Sequence, residues 1–203
     1  MGEQVNLFSP NTLRSPWGPD EVDRLREKAL ECAACSLCTT RINVVFGEGE
    51  NNRPVIAFVG EGPGAVEDQQ GRPFVGPGGK LLDSMLGAMK LPRSKVYICN
   101  VVACRPPQNR KPTEDEAGAC REFLFGQLRA VRPHTIVALG TTAAQAVLQT
   151  KEPLAKLRND WHECEGIPVR ATFHLAFLLR TPQAKRHAWE DLKAVMRKLG
   201  LSN

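Results

Sequence analysis

Four short apolar runs, separated from one another by helical patterns, constrain the fold of this chain more than any other feature of its sequence. Each run has the length and the β-branched or aromatic content of a buried strand. The runs cover residues 54–60, 95–102, 134–140 and 168–174. Strands that alternate with helices form a mainly parallel sheet with helices on both faces. We therefore predict an α/β protein with three α/β/α layers and a central, mainly parallel four-stranded sheet.

The segments between the runs complete this prediction. Apolar residues recur there at helical spacing, over residues 78–90, 113–131, 141–149 and 183–199. A further helix is predicted to begin near Asp20. Thr113, followed three residues later by Glu116, fits a capping box and marks one helix start. Residues 1–19, with several prolines and glycines, are typical of a loosely ordered arm, so we predict a single domain over residues 20–203.

Hydropathy and charge exclude some classes of protein. Nothing in the chain approaches the roughly 18 consecutive apolar residues of a membrane span, and the N-terminus lacks the basic start and apolar centre of a secretory signal. We therefore expect a cytoplasmic protein with no membrane partner. The net charge is +5. Residues 1–50 carry more acidic than basic side chains, so the excess of basic side chains lies in residues 51–203. Charge alone does not separate a solvated surface from a binding face for a polyanion.

All four predicted strand ends carry residues suited to ligand binding. Open α/β sheets bind ligands beyond the carboxyl ends of their strands. The first run leads into the glycine-rich segment 60–64, the second contains Asn100, the third leads into residues 140–141, and the fourth ends at His174. Taken alone, Asn100 or His174 is better explained by hydrogen bonds to the local backbone. Together with Phe74 they indicate a site for a planar, hydrogen-bonding heterocycle.

The glycine-rich segment also matches, in form, the G-x-G-x-x-A fingerprint of dinucleotide-binding sites. Several features oppose that interpretation. Pro63 removes a backbone N–H from the turn, no acidic residue ends the second strand, and the chain is expected to continue as a loop through Phe74 instead of opening a helix. A tight structural turn is the plainer alternative, in which the glycines let a ligand approach bare backbone. We therefore expect no nucleotide cofactor.

Seven cysteines are many for a cytoplasmic chain, and their odd number argues against a complete set of disulfides. Cys32 and Cys35 form a C-x2-C pair, and Cys104 and Cys120 follow as a C-x15-C pair. Four thiolates in this arrangement would tie the N-terminal segment to the domain body, around either zinc or an iron–sulfur cluster. Spacing alone equally allows Cys38 to replace Cys32 in the close pair. The cysteines that best fit small buried hydrophobic residues are Cys99 and Cys164.

Three motifs make the chain recognisable: GEGPGAVEDQQGRPFVGPGGKLL at 60–82, VYICNVVACRPPQNRKPTEDEAGAC at 96–120 and FHLAFLLRTP at 173–182. They closely resemble the iron–sulfur uracil-DNA glycosylases called family 4, in the same order along the chain. The resemblance implies a compact α/β/α fold and cleavage of the N-glycosidic bond of uracil in DNA, the first step of base-excision repair. It also implies a [4Fe–4S] cluster, ligated by Cys32, Cys35, Cys104 and Cys120.

The resemblance gives the strand-end residues roles in binding a base that has left the DNA stack. Phe74 would stack on the flipped uracil, and the Asn100 amide would donate to uracil O4 and accept from N3–H. Cytosine presents its donor and acceptor in the reverse places, so it would leave buried groups unpaired. His174 and backbone N–H groups would stabilise the departing uracil anion.

The group that positions the attacking water is expected to be a glutamate. Some glycosylase relatives have an aspartate in the first motif, but the matching position here is Gly62, in the uracil-binding loop. We therefore expect Glu61 to position the water, with Glu67 as the second candidate. The usual His-Pro-Ala of the family reads His174-Leu175-Ala176 here. Loss of the proline is expected to free φ and add an N–H beside the histidine, which keeps open altered activity or a glycosylase for another deaminated base.

The expected partner is uracil-containing DNA, single- or double-stranded, bound by a monomer; a non-catalytic DNA-binding module is the alternative from a different class. Sequence-independent phosphate contacts are expected from Arg105, Arg110, Lys111, Lys185 and Arg186. The apolar segment after His174 is expected to form a loop in which Leu179, flanked by Arg180, fills the space of the flipped base. Packing of any one leucine into the core is the plainer alternative.

Overall fold

The computed structural model describes residues 18–201. Its centre is a sheet of six strands: β1 (Glu48–Gly49), β2 (Ile56–Gly60), β3 (Val96–Asn100), β4 (Ile136–Leu139), β5 (Trp161–Cys164) and β6 (Ile167–Thr172). The strand order is β1-β3-β2-β4-β6-β5. The four strands predicted from the sequence are β2, β3, β4 and β6, and they are adjacent and parallel. The predicted α/β class is confirmed.

The predicted number of strands is wrong, because two short antiparallel strands extend the sheet at its edges. β1 pairs with β3, and β5 pairs with β6. β1 has only two residues, and the sequence of β5, WHEC, is polar and mostly half-buried. Neither strand has the continuous apolar run that marks a strand covered on both faces.

Helices cover both faces of the sheet. They are α1 (Pro19–Leu30), α2 (Ala65–Gln70), α3 (Pro77–Ala88), α4 (Glu114–Val131), α5 (Thr141–Leu148), α6 (Leu154–Leu157), α7 (Leu175–Arg180) and α8 (Lys185–Lys198). Side chains alternate along the strands, so Val59 packs with α1, α4 and α5 in one core, while Phe58 packs with α3, α7 and α8 in the other. The predicted three layers follow from this alternation.

The capping box predicted for α4 is confirmed. The Thr113 side chain accepts a hydrogen bond from the Glu116 backbone N–H (3.2 Å), and the Glu116 carboxylate accepts one from the Thr113 N–H (2.8 Å). These two bonds satisfy donors that the first helical turn leaves free. They place Cys120 on the second turn of a helix with a fixed start.

Two segments predicted as loops are short helices. α2 follows the glycine-rich segment directly, because two acidic residues in its first turn favour the helix dipole and Gly71, at φ 68°, ends it. The expectation of a loop from the glycines to Phe74 is therefore wrong in part. α7 replaces the apolar loop expected after His174, because burial of Leu175 and Leu178 on one face stabilises a helical turn.

The predicted arm, residues 1–19, lies almost entirely outside the described residues; its last residue, Pro19, is already the first residue of α1. The single domain over residues 20–203 stays a prediction. Across residues 18–201, every helix is too short or too polar to cross a membrane.

Candidate functional site

The ends of the parallel strands meet at a cavity of about 900 Å³. Its wall contains the glycine-rich segment after β2, the end of β3, the start of α5 and the start of α7. The predicted site residues in that wall are Glu61, Gly62, Glu67, Phe74, Asn100, Arg110, Lys111, His174, Leu179 and Arg180. The structure thus brings together, at one edge of the sheet, residues that are more than 100 positions apart in the chain.

Asn100, the last residue of β3, presents a free hydrogen-bond acceptor at this cavity. The residue is 6% exposed, and its Oδ1 has no hydrogen-bond partner within residues 18–201. Buried polar atoms in folded proteins nearly always have partners, so this oxygen is placed to receive a donor from a ligand. A Cβ on Gly60 would lie 2.4 Å from this oxygen and 2.4 Å from Cζ of Phe74. Glycine at position 60 therefore leaves room for both side chains.

Phe74 is buried and has a backbone φ of 51°. A positive φ is unfavourable for a bulky residue and persists only where the surroundings hold it. Glu67 Oε1 provides part of that hold, because it accepts hydrogen bonds from the next two backbone N–H groups, those of Val75 (3.0 Å) and Gly76 (2.8 Å). Gly79 also packs closely, since a Cβ there would lie 1.9 Å from the Phe74 carbonyl oxygen. One carboxylate oxygen of Glu67 is therefore engaged in supporting the loop.

His174 immediately precedes α7, and its ring caps that helix. Nδ1 accepts a hydrogen bond from the Ala176 N–H (3.3 Å), which requires the tautomer with its hydrogen on Nε2. Burial lowers the pKa of His174; the Glu61 carboxylate opposes this shift, and Arg180 adds to it. The ring packs against Gly140, which has φ 90° and whose added Cβ would lie 2.8 Å from the His174 Cβ. The lowered pKa favours the neutral imidazole, in which Nε2 carries the hydrogen.

Leu175, which replaces the usual proline, is the first residue of α7 and is fully buried in the core beside α3 and α8. The backbone N–H of a first helical residue has no partner within its helix, and helical φ is the value that proline adopts. A proline at position 175 could therefore adopt the same backbone conformation. The change of φ expected from the sequence gains no support, and the leucine side chain acts through packing.

Glu61 contacts a residue that sequence reasoning missed. The Thr142 hydroxyl donates a hydrogen bond to Glu61 Oε2, and both residues line the cavity. The only signal in the sequence is that Thr142 follows closely after the predicted strand end at Gly140. Nothing local indicates that its hydroxyl reaches a carboxylate 81 positions earlier.

The basic loop between β3 and α4 is held by its own polar contacts. Arg110 forms two bonds with the Glu116 carboxylate, at 2.7 and 2.8 Å. Arg105 Nε donates to Asn109 Oδ1 at 2.8 Å. Lys111 is exposed and lines the cavity. These contacts fix the loop that carries the predicted phosphate-binding side chains.

The remaining predicted DNA contacts lie in two places. Arg180 and Leu179 are exposed at the cavity, where Leu179 is 42% accessible, whereas the neighbouring Leu178 is buried. Leu179 is therefore accessible to a ligand at the cavity, while Leu178 belongs to the core; the wedge role of Leu179 stays a prediction. Lys185 lines a separate groove between α3, α7 and α8, and Arg186 is exposed at the start of α8.

Cys32, Cys35, Cys104 and Cys120 form a group of neighbouring thiols that are not part of the cavity lining. Burial raises the pKa of Cys104, with further contributions from Cys35 and Cys32. Burial likewise raises the pKa of Cys120 to about 11, and Cys104, Cys35 and Cys32 add to this shift. All four thiols are therefore within electrostatic range of one another. Burial acts to lower the pKa of Arg41, but the hydrogen bond to Cys104 and the nearby Cys104, Cys38 and Cys32 thiols raise it overall, so Cys38 also lies near this group.

Arg41 contacts this group of thiols directly. Within the described part of the chain, no three His, Cys, Asp or Glu side chains are grouped tightly enough to hold a single metal ion. Arg41 Nη1 donates to Cys104 Sγ (3.2 Å) and to the Cys32 carbonyl (2.9 Å), as expected beside sulfur ligands of an anionic cluster. The donor set of four thiols fits an iron–sulfur cluster. As expected, Cys99 and Cys164 are buried elsewhere.

Comparison with known proteins agrees with this geometry. A family model described as the uracil DNA glycosylase superfamily matches residues 46–193, which contain all six strands. A type-4 uracil-DNA glycosylase of Thermotoga maritima is 44% identical over 173 residues, covering 82% of this chain and 88% of the relative. Relatives with the same description from Archaeoglobus fulgidus and Saccharolobus solfataricus are 39% and 37% identical; each match covers 87% of this chain, and 92% and 85% of those proteins.

Proposed function

The chain belongs to the uracil-DNA glycosylase superfamily, and on that premise we propose that it hydrolyses the N-glycosidic bond of uracil in DNA, the first step of base-excision repair. The family resemblance of the motifs is confirmed by the comparisons. The observation in the structure that best supports the activity is the buried, unpartnered Oδ1 of Asn100 at the cavity. A flipped base with a ring N–H is the ligand that this oxygen fits.

Base recognition follows from the Asn100 amide and the Phe74 ring. Oδ1 accepts from uracil N3–H, and the amide NH2 donates to O4. Cytosine has no hydrogen on N3 and carries an amino group in place of O4, so both contacts would fail and leave buried groups unpaired. The Phe74 ring, held by the Glu67 contacts, provides the stacking surface. Gly62 allows close approach of the loop, because a Cβ there would lie 2.8 Å from a Val102 methyl group.

Bond cleavage needs stabilisation of two charges. When the C1′–N1 bond breaks, its electron pair passes to uracil N1 and is shared with O2, while positive charge develops on the sugar. The Nε2–H of neutral His174 donates to O2 and stabilises the anion. Glu61 positions the water that attacks C1′, and its negative charge favours the cationic sugar. Because burial lowers the His174 pKa, the ring stays neutral at a lower pH than an ordinary histidine would.

Access to uracil requires the base to leave the helix, and the exposed residues of α7 lie at the entrance. Leu179 and Phe177 are exposed beside Arg180. An apolar side chain inserted into the stack occupies the vacated space, while nearby cations contact phosphates. We assign Leu179 to the first role and Arg180 with Lys111 to the second. Arg105 and Arg110 support the loop, and Lys185 with Arg186 extend the basic surface along α8.

We further propose that Cys32, Cys35, Cys104 and Cys120 bind a [4Fe–4S] cluster. When bound, the cluster would supply a covalent link between the segment that follows α1 and the body of the domain. Hydrolysis of a glycosidic bond requires no electron transfer. The thiols therefore serve the fold, and the cavity residues carry the reaction.

The activity is tested with labelled oligonucleotides that carry one uracil, either single-stranded or opposite guanine or adenine, followed by alkaline cleavage of abasic sites. We expect strand scission by the wild type, loss of about 100-fold or more in Asn100→Ala and His174→Ala, and full activity in Asn52→Ala, an exposed residue on a distant turn. Binding of uracil-containing DNA without scission would support the non-catalytic module instead. Scission only with hypoxanthine, xanthine or mismatched thymine would support a different base specificity.

A further inference from the structure

The contact between Thr142 and Glu61 joins two elements that the chain places far apart. Thr142 is the second residue of α5, which begins directly after β4 and is capped by Gly140 at φ 90°. Glu61 is the first residue after β2. Both side chains are partly buried and line the same cavity. The bond therefore fixes the direction of a carboxylate that the loop backbone alone leaves free to rotate.

The Thr142 hydroxyl has one hydrogen, and it donates that hydrogen in a hydrogen bond to Glu61 Oε2. The threonine oxygen keeps only acceptor capacity. Glu61 Oε1 has no hydrogen bond from any of the residues described, and Glu61 lies within electrostatic range of His174. The arrangement holds one carboxylate oxygen in place and leaves the other available for a water molecule beside the group expected to stabilise the leaving base.

We propose that Thr142 is a positioning residue for uracil excision: its hydroxyl fixes the Glu61 carboxylate so that the free oxygen orients the attacking water. The proposal rests on the function argued above and on the assignment of the water to Glu61. It adds a requirement for a hydroxyl at position 142. A small rotation of the carboxylate moves the water off the line of attack at C1′, and misplacement of about 1 Å costs about 100-fold in rate.

The first test compares Thr142→Val, which keeps the side-chain shape and removes the donor, with Thr142→Ser, which keeps the donor. Single-turnover rates and the Kd for DNA are measured with a single-uracil oligonucleotide. We expect Thr142→Val to lower the rate by about 10- to 100-fold, the cost of a lost hydrogen bond to a charged group, with a Kd within about twofold of wild type. Thr142→Ser should stay within about threefold in rate. Thr150→Val, beyond the other end of α5 and outside the cavity wall, should keep the wild-type rate.

A double-mutant cycle separates positioning from a general structural role. Once Glu61→Gln has removed the carboxylate, adding Thr142→Val should cost little further rate. An equal loss in both backgrounds, a Thr142→Ser variant as slow as Thr142→Val, or an unchanged rate in Glu61→Gln would each overturn the proposal. If Thr142→Val unfolds in a thermal melt, Thr142→Ala takes its place in the same cycle. Failure of the proposed function gives a different result, because the wild type would then release no uracil.

Discussion

Gly60 shows at the scale of one residue how the backbone prepares the site. It ends β2 beside both the Asn100 amide and the tip of the Phe74 ring, and a Cβ at this position would lie 2.4 Å from each. A side chain there would meet both groups. The requirement for glycine arises from this close approach, because Gly60 is part of a regular strand and needs no left-handed conformation.

Gly60→Ala is accordingly expected to damage recognition without unfolding the protein. The added Cβ would lie 2.4 Å from Asn100 Oδ1, so the amide or the ring must move from the place proposed for it against uracil. We expect kcat/KM on single-uracil DNA to fall by about 100-fold, with a change in Tm of only a few degrees. Gly87→Ala, in α3 where an added Cβ has nothing within 4 Å, is the matched control. Wild-type activity in Gly60→Ala would contradict the placement of Asn100 and Phe74.

At the scale of elements, α4 carries one cysteine of the proposed cluster and ends the loop that borders the cavity. Glu116 joins these parts, since its carboxylate caps the helix, binds Arg110 in two places and accepts from the Ser36 hydroxyl (3.3 Å) beside Cys35. Arg110 is the main cause that lowers the pKa of Glu116, to about 2. The ionised carboxylate therefore holds the helix, the basic loop and the cysteine segment at one point.

Replacing this carboxylate should destabilise the protein in a pH-dependent way. Because the Glu116 pKa falls from 4.5 to about 2 on folding, its contribution is complete above pH 4.5 and is lost as the pH falls toward 2. We expect Glu116→Gln to lower the free energy of unfolding by about 2 kcal/mol at pH 7, measured by urea denaturation. The difference from wild type should shrink below pH 4.5. Glu114→Gln, in the same turn but 87% exposed at its side chain, should change stability by less than about 0.5 kcal/mol.

The elements also show what the sequence can predict. The central strands were predictable because burial on both faces produces continuous apolar runs, and the start of α4 because Thr113 and Glu116 interact within one turn. β5 was not predictable, because its four residues, mostly polar or half-buried, carry little signal. α2 was hidden by the glycines and Pro63 before it. Asn100 and His174 were predictable from their places at strand ends, whereas the role of Thr142 depends on a contact between distant parts of the chain.

At the scale of the whole molecule, the segment after α1 is joined both to the cysteines and to the cavity. Arg41 contacts Cys104 and the Cys32 carbonyl. The next two backbone N–H groups, of Ile42 and Asn43, donate to the buried Asp68 carboxylate of α2 (2.9 and 3.3 Å). α2 follows the glycine-rich loop. A continuous path of bonds therefore runs from the proposed cluster to the glycine-rich loop.

Arg41→Gln should weaken the first connection in this path. Loss of the positive charge and of the N–H···S bond leaves the Cys104 thiolate less well stabilised and more easily displaced. With purified iron-loaded protein, we expect a chelator to remove iron several-fold faster than from wild type, followed by the visible absorbance and by iron content. Lys28→Gln removes an equal charge from an exposed position in α1 and should behave as wild type. Equal rates of iron loss in Arg41→Gln would show that the arginine does not protect the cysteines.

The fixed positions of Asn100 and Phe74 also bear on which step of base binding has the highest free-energy barrier. Gly60, Gly79 and Glu67 support these conformations without DNA. If the base binds as proposed, its entry requires little ordering of the pocket and little loss of conformational entropy. The remaining barrier lies in the nucleic acid, in unstacking and unpairing the target nucleotide. Uracil in weakly paired or unpaired DNA should therefore be released faster than uracil in a stable base pair, although the pocket it enters is the same.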